Sequence, residues 1–206
     1  MTSGEKTTLR VGCVVLAAGR STRMGANKLA ADLAGRPIIA HVVDAIEAAG
    51  FGPPIVVLGS DADAIRTALS GRDVRFVLAH DYRQGLSRSL AAGIAVAPAD
   101  WAAAIICLGD MPLISGDLLR AIAALASENA IVAPRFAGQR GNPLLWGRVF
   151  FARLEALAGD VGARTLLADY SDRLCHLDWG DDSVLVDVDR PDDLTMVERR
   201  LAGLAG

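Results

Sequence analysis

A chain of 206 residues with 52% hydrophobic side chains is long enough to bury a layer of helices against each face of a sheet. Its net charge of −3, without a basic block and with few aromatics, argues against a nucleic-acid partner, and no apolar run is long enough to span a membrane. The polar stretch 1–10 lacks an apolar core, so 1–9 reads as a flexible tail and not a secretory signal, with 10–206 as a single domain. Cys13, Cys107 and Cys175 lie far apart in apolar stretches without metal-like pairing. They read as buried thiols in a reducing cytoplasm.

In chain order, the apolar run 11–16 predicts a buried strand that ends in a glycine-containing loop. Helical spacing predicts helices over 38–49, 62–69 and 86–96, the last with Leu86, Leu90, Ile94 and Ala97 on one stripe. They alternate with apolar, β-branched runs at 55–58, 74–78 and 104–108. A further helix over 116–126 and a strand over 130–133 follow. This order implies a Rossmann-like α/β fold, a doubly wound, mostly parallel sheet flanked by helices. The second half is less regular: strands over 143–146, 173–177 and 184–188, helices over 149–158, 163–169 and 191–204. Pro191 suits the first helical turn, with Asp192 and Asp193 at the positive end of the dipole.

The loop after the first strand carries Arg20, Arg23 and Lys28 between and beyond Gly19 and Gly25. The glycines let the backbone turn and approach a ligand, and cations with exposed N–H groups suit a polyphosphate. Five residues separate Gly19 from Gly25, and Lys28 is followed by Leu29, so this is not a Walker A loop. It also lacks the dinucleotide fingerprint. A surface turn with solvated charges is the alternative reading.

Asp110 closes the strand 104–108 at the end where ligands of parallel sheets collect, and could hold Mg²⁺ or cap the next helix. Strand alternation over 184–188 places Asp187 and Asp189 on one face, with Asp189 nearer the strand end and able to complete a metal site with Asp110. Asp187 stays open, and Asp192 and Asp193 suit capping. Gly85, Ser87 and Ser89 open a helix, where they can contact an anion or nucleobase or act as a plain N-cap. Residues 139–143 read as a loop in which Arg140 offers a planar fork and Gly141 allows close approach. Asp160, within 159–164, reads as an N-cap in a helix–loop–helix connection. His41, His80 and His176 are scattered and show no metal-ligand spacing.

The run from Leu16 to Lys28 resembles the L-A-A-G-x-S-x-R-M-G-x-x-K loop of the molybdenum cofactor cytidylyltransferase family, nucleotidyltransferases of the glycosyltransferase-A-like fold. Related guanylyltransferases carry Gly-Gly where this chain has Ala17-Ala18, so the resemblance implies CTP. Asp110-Met111-Pro112 resembles the family's metal-binding aspartate motif, and 187–193 its D-x-D-x-P-x-D element. Gly85 to Gly93 matches G-x-x-x-S-L-x-x-G, Arg140 to Pro143 matches R-G-x-P, and 159–164 matches G-D-x-G-A-R.

The resemblance implies CMP transfer from CTP to the phosphate of molybdopterin-type cofactor, releasing pyrophosphate with Mg²⁺ on Asp110 and Asp189. It places the nucleotide on Leu16, Ala17, Ala18, Gly19, Arg20, Arg23, Lys28, Gly85, Ser89 and Asp110, with Arg23, Lys28 and Asp110 catalytic. The acceptor falls to Arg140, Gly141, Pro143 and Asp160. Transient contact with a molybdenum hydroxylase that receives the product is also implied. Transfer to another small phosphate, such as methylerythritol phosphate or a sugar phosphate, is the alternative enzyme reading. A non-catalytic cofactor carrier is the alternative outside catalysis.

Overall fold

The structure, a computed structural model, describes residues 9–19, 27–157 and 163–204. Strand β1 (Val11–Ala17) leads to a 3₁₀ turn at Lys28–Ala30 and a small antiparallel hairpin of β2 (Asp32–Leu33) and β3 (Arg36–Pro37). Then come α1 (Ile38–Ala48), β4 (Ile55–Leu58), α2 (Ala62–Ala68), β5 (Arg75–Leu78), α3 (Leu86–Ile94), β6 (Ala103–Leu108) and α4 (Gly116–Ala124). The second half holds β7 (Ile131–Phe136), β8 (Gln139–Arg140), β9 (Leu144–Gly147), α5 (Phe151–Glu155), α6 (Arg164–Asp169), β10 (Leu174–Asp178) and α7 (Pro191–Leu204). No helix among the described residues is long and apolar enough to cross a membrane.

The main sheet runs β10-β7-β9-β6-β1-β4-β5, with β8 paired to β7. The expected α/β sheet flanked by helices is present, and β1, β4, β5 and β6 are parallel. The exceptions are β9, which lies antiparallel between β6 and β7, and the short β8, antiparallel to β7. The central strands are apolar at successive positions because both faces are covered. Cys13, Val15 and Ala17 enter one core with Ile39, Val43 and Leu118, while Val14, Leu16 and Ala18 enter the other with Leu90, Ile94 and Trp146. A third cluster of Leu33, Ile38, Val188 and Val197 joins the β2–β3 hairpin to α7.

Three expectations are corrected here. Residues 184–188 are not a strand: a 3₁₀ turn at Asp182–Val184 is followed by an irregular segment. The reason lies in its anchors. The Val184 side chain enters the first core and Val188 the third, and the Val188 N–H goes to the Asp110 carbonyl and not to a neighbouring strand. Residues 139–143 are not wholly a loop, since β8 forms a hairpin with β7 through Ala137 and Gly138, both at positive φ. Cys175 is exposed on the edge strand β10, whereas Cys13 and Cys107 are buried. Burial, and then the neighbouring Cys107 thiol, hold the Cys13 thiol well above its ordinary range, so it stays protonated.

Gly12 shows how closely the sheet floor is packed. A Cβ there would overlap the six-membered ring of Trp101, itself 5% exposed. Gly12→Ala is expected to destabilise the fold by about 1–3 kcal/mol through overpacking. A urea midpoint indistinguishable from the parent protein, at equal slope, would show that Trp101 yields freely.

Candidate active site

The site forms where β1 and β6 leave the sheet side by side. Leu16 registers with Leu108, and the Gly109 N–H donates to the Leu16 carbonyl at 3.1 Å. A Cβ on Gly109 would lie 3.1 Å from that oxygen and 3.2 Å from Leu29 Cδ1, so glycine lets the two strand ends and the Lys28–Ala30 turn close together. Asn27 caps that turn through its side-chain oxygen, which accepts from the Leu29 N–H at 3.0 Å. Asp110 does not cap α4. Ser115 does, accepting from the Leu118 N–H at 3.1 Å, which leaves the Asp110 carboxylate to the sheet end.

Lys28 reaches across this end. Its ammonium donates to Asp110 Oδ2 at 2.7 Å and to Asp189 Oδ1 at 2.6 Å, on a side chain only 15% exposed. Burial pulls the Lys28 pKa down, but Asp110 and then Asp189 outweigh it and the value ends above the ordinary lysine range. Asp187 completes the group: one carboxylate oxygen from each of Asp110, Asp187 and Asp189 lies within 4.8 Å of the others. Loss of solvent, then the charges of Asp110 and Asp189, raise the Asp187 pKa against the opposing pull of its own backbone N–H and Lys28. Three carboxylates and one ammonium leave two negative charges unbalanced within this cluster. That surplus and the all-oxygen donor set fit a hard divalent cation. No histidine or cysteine joins a comparable group among the described residues.

Asp193 explains how the acidic segment meets α7. Its carboxylate accepts from the Asp189 N–H at 2.9 Å and the Arg190 N–H at 2.7 Å, the reach-back half of a capping box. The capping role expected for Asp193 therefore holds, and it fixes the backbone of Asp189 itself.

The other predicted positions are distributed around this centre. Leu16, Ala17 and Ala18 are buried and Gly19 is exposed. Gly85 is the N-cap residue of α3 with φ 113°, a conformation that favours glycine. Neither Ser87 nor Ser89 is the cap, and both are buried. Arg140 is exposed on β8, Pro143 is buried after a cis peptide, and the close approach at Gly141 is to the Val184 backbone. Arg20, Arg23 and Asp160 lie outside the described residues. His41 is structural: its Nε2 is 2.9 Å from the Leu33 carbonyl oxygen, while His80 and His176 are exposed.

The turn after β4 was not anticipated as part of the site. A Cβ on Gly59 would lie 2.7 Å from Ala18 Cα, Ser60 Oγ donates to the Gly19 carbonyl at 3.5 Å, and Asn27 Nδ2 donates to Asp61 at 3.4 Å. The turn thus touches both described flanks, Gly19 and Asn27, of the loop that follows β1. Its sequence signal was Gly-Ser-Asp directly after the apolar run 55–58, at the carboxyl end of a parallel strand.

Comparison with known proteins agrees with this fold. A nucleotidyl transferase from Methanothermobacter thermautotroptrophicus (Mth528) superposes with a TM-score of 0.84 at 27% identity, covering 95% of this chain and 99% of that one. Rv0371c from Mycobacterium tuberculosis H37Rv gives 0.81 at 29% identity, over 94% and 99% of the two chains. The same protein in complex with manganese gives 0.77 at 28% identity, over 94% and 100%. Fold and site together define a nucleotidyltransferase of the glycosyltransferase-A-like fold. Residues 13–174 match the MobA-like NTP transferase domain, and the chain belongs to that family. It is also 32% identical over 144 residues to the bifunctional protein GlmU of Syntrophomonas wolfei, a match covering 68% of this chain and 31% of that protein. The matched part is about a third of that relative's length.

Proposed function

We propose that this nucleotidyltransferase transfers CMP from CTP to the terminal phosphate of a molybdopterin-type cofactor, giving the cytosine dinucleotide and pyrophosphate. The observation that carries the reading is the Lys28 ammonium held between Asp110 and Asp189 at the joined ends of β1 and β6. A fixed cation and an acidic group suited to a divalent cation, at the end of the loop that matches the cytidylyltransferase pattern, support it. The Ala17-Ala18 pair supports CTP by that resemblance.

An acceptor phosphate oxygen forms a bond to the α-phosphorus of CTP as the bond from that phosphorus to the β-phosphate bridge breaks, and pyrophosphate departs in line. The acceptor is already ionised near neutral pH, so no general base is required. Asp110 and Asp189, with Asp187 beside them, would hold a divalent cation, as the manganese complex of Rv0371c supports. Such a cation supplies charge neutralisation to the triphosphate. Lys28 and Arg23 stabilise negative charge on the α-phosphate and leaving group, the dominant contribution to phosphoryl-type transfer, and Arg20 assists at the β- and γ-phosphates. Gly85 and Ser89 face the nucleoside, and Arg140, Gly141, Pro143 and Asp160 form the acceptor side.

The test is pyrophosphate release with Mg²⁺ and molybdenum cofactor, comparing CTP, GTP and ATP. Release that requires the cofactor and prefers CTP is expected. Release with methylerythritol phosphate or a sugar phosphate in its place would reassign the acceptor, and no release from folded protein with any pairing would favour a carrier.

A further inference from the structure

Gly141 meets the acidic segment at its start, on the Val184 backbone. A Cβ at this position would overlap the Val184 carbonyl oxygen and lie 2.7 Å from its carbon and 2.9 Å from Val184 Cβ. The fit is fixed from both sides: the Gly141 N–H donates to the Pro134 carbonyl at 2.8 Å, and the Asn142 N–H donates to the Val184 carbonyl at 2.9 Å. The obstacle is backbone, which cannot swing aside as the end of a side chain can.

Val184 begins the segment that carries Asp187 and Asp189, and that segment has little slack. Val184 and Val188 are both fully buried, in separate clusters. Upstream, Asp182 accepts both terminal guanidinium nitrogens of Arg200, at 2.6 and 2.9 Å. Downstream, the Val188 N–H is tied to the Asp110 carbonyl at 2.9 Å. A shift forced on Val184 therefore reaches the spacing of Asp187 and Asp189 from Asp110.

We infer that Gly141 is a positioning residue for the acidic cluster: its missing side chain seats the β8–β9 connection on Val184 and so sets where Asp187 and Asp189 stand. The acceptor side and the cation-binding end are then one mechanical unit. This rests on the reading of the acidic cluster as a divalent-cation site.

Mn²⁺ binding to the full chain without nucleotide, followed by the electron paramagnetic resonance signal of free Mn²⁺, tests it. Gly141→Ala is expected to raise the Mn²⁺ Kd about tenfold, the scale of losing an outer-shell support. Gly180→Ala, four residues before Val184, adds its methyl to open space without a positive φ and is expected to leave it unchanged. Equal affinity in folded Gly141→Ala and the parent, or equal weakening in Gly180→Ala, would overturn the inference. Should Gly141→Ala fail to fold, Arg200→Ala releases the segment without added bulk. A rise of about threefold in Kd is then expected, within the range of a lost charge pair, and no change would overturn the inference. Asp110→Asn separates the two levels. If the parent binds Mn²⁺ no better than Asp110→Asn, the cation site itself falls, and the inference with it.

Discussion

Lys28→Ala is expected to lower kcat for pyrophosphate release about a thousandfold while the protein stays folded, the scale set by losing a fixed charge aimed at the transferring phosphate. The side chain is only 15% exposed, and its ammonium is held within 2.7 Å of Asp110 and 2.6 Å of Asp189, so a water molecule cannot replace its charge. Its raised pKa keeps it protonated throughout the neutral range. Lys28→Arg preserves charge but exchanges a compact ammonium for a planar fork, and is expected to recover little. Steady-state kinetics beside far-ultraviolet circular dichroism check both. Parent-like turnover from folded Lys28→Ala would remove Lys28 from the catalytic group.

Asp110→Asn is expected to cost about a hundredfold or more in Mn²⁺ affinity, above the effect of losing an outer-shell partner, and a comparable loss of turnover. The substitution keeps shape and deletes one of three carboxylates lying within 4.8 Å of one another. It also removes one of the charges that raise the Asp187 pKa, so the Asp187 carboxyl is expected to titrate lower in the variant. Calorimetric Mn²⁺ titration reads the affinity, and carbon-detected nuclear magnetic resonance reads the carboxyl. Unchanged Mn²⁺ binding would place the cation elsewhere.

Much of this centre was legible because its residues sit at the ends of long apolar runs. Lys28 and Asp110 follow β1 and β6, whose continuous burial on both faces announces parallel central strands and whose carboxyl ends locate ligands. Asp189 was reached by a wrong route. Alternation in an assumed strand put it beside Asp187, whereas the observed pairing comes from an irregular segment pinned by Val184, Val188 and Asp193. Such anchoring is tertiary and leaves no period in the sequence. The two-residue strands of the β2–β3 hairpin and of β8 are likewise too short to carry one. The direction of β9 was hidden for another reason: four apolar residues look the same whether the strand runs up or down. The close approach that Gly141 allows is in this structure to the chain's own backbone at Val184, a partner no local pattern names.

The place of β9 also bears on how the chain can be synthesised. Strands β1, β4, β5 and β6 belong to the first 108 residues, yet β6 has its second neighbour only when residues 144–147 have been made. Until then a nascent chain carries β6, almost wholly apolar, as an open sheet edge able to pair with another molecule. A fragment ending between β6 and β9 would keep that edge permanently, so a premature stop in that interval is expected to leave an aggregation-prone product.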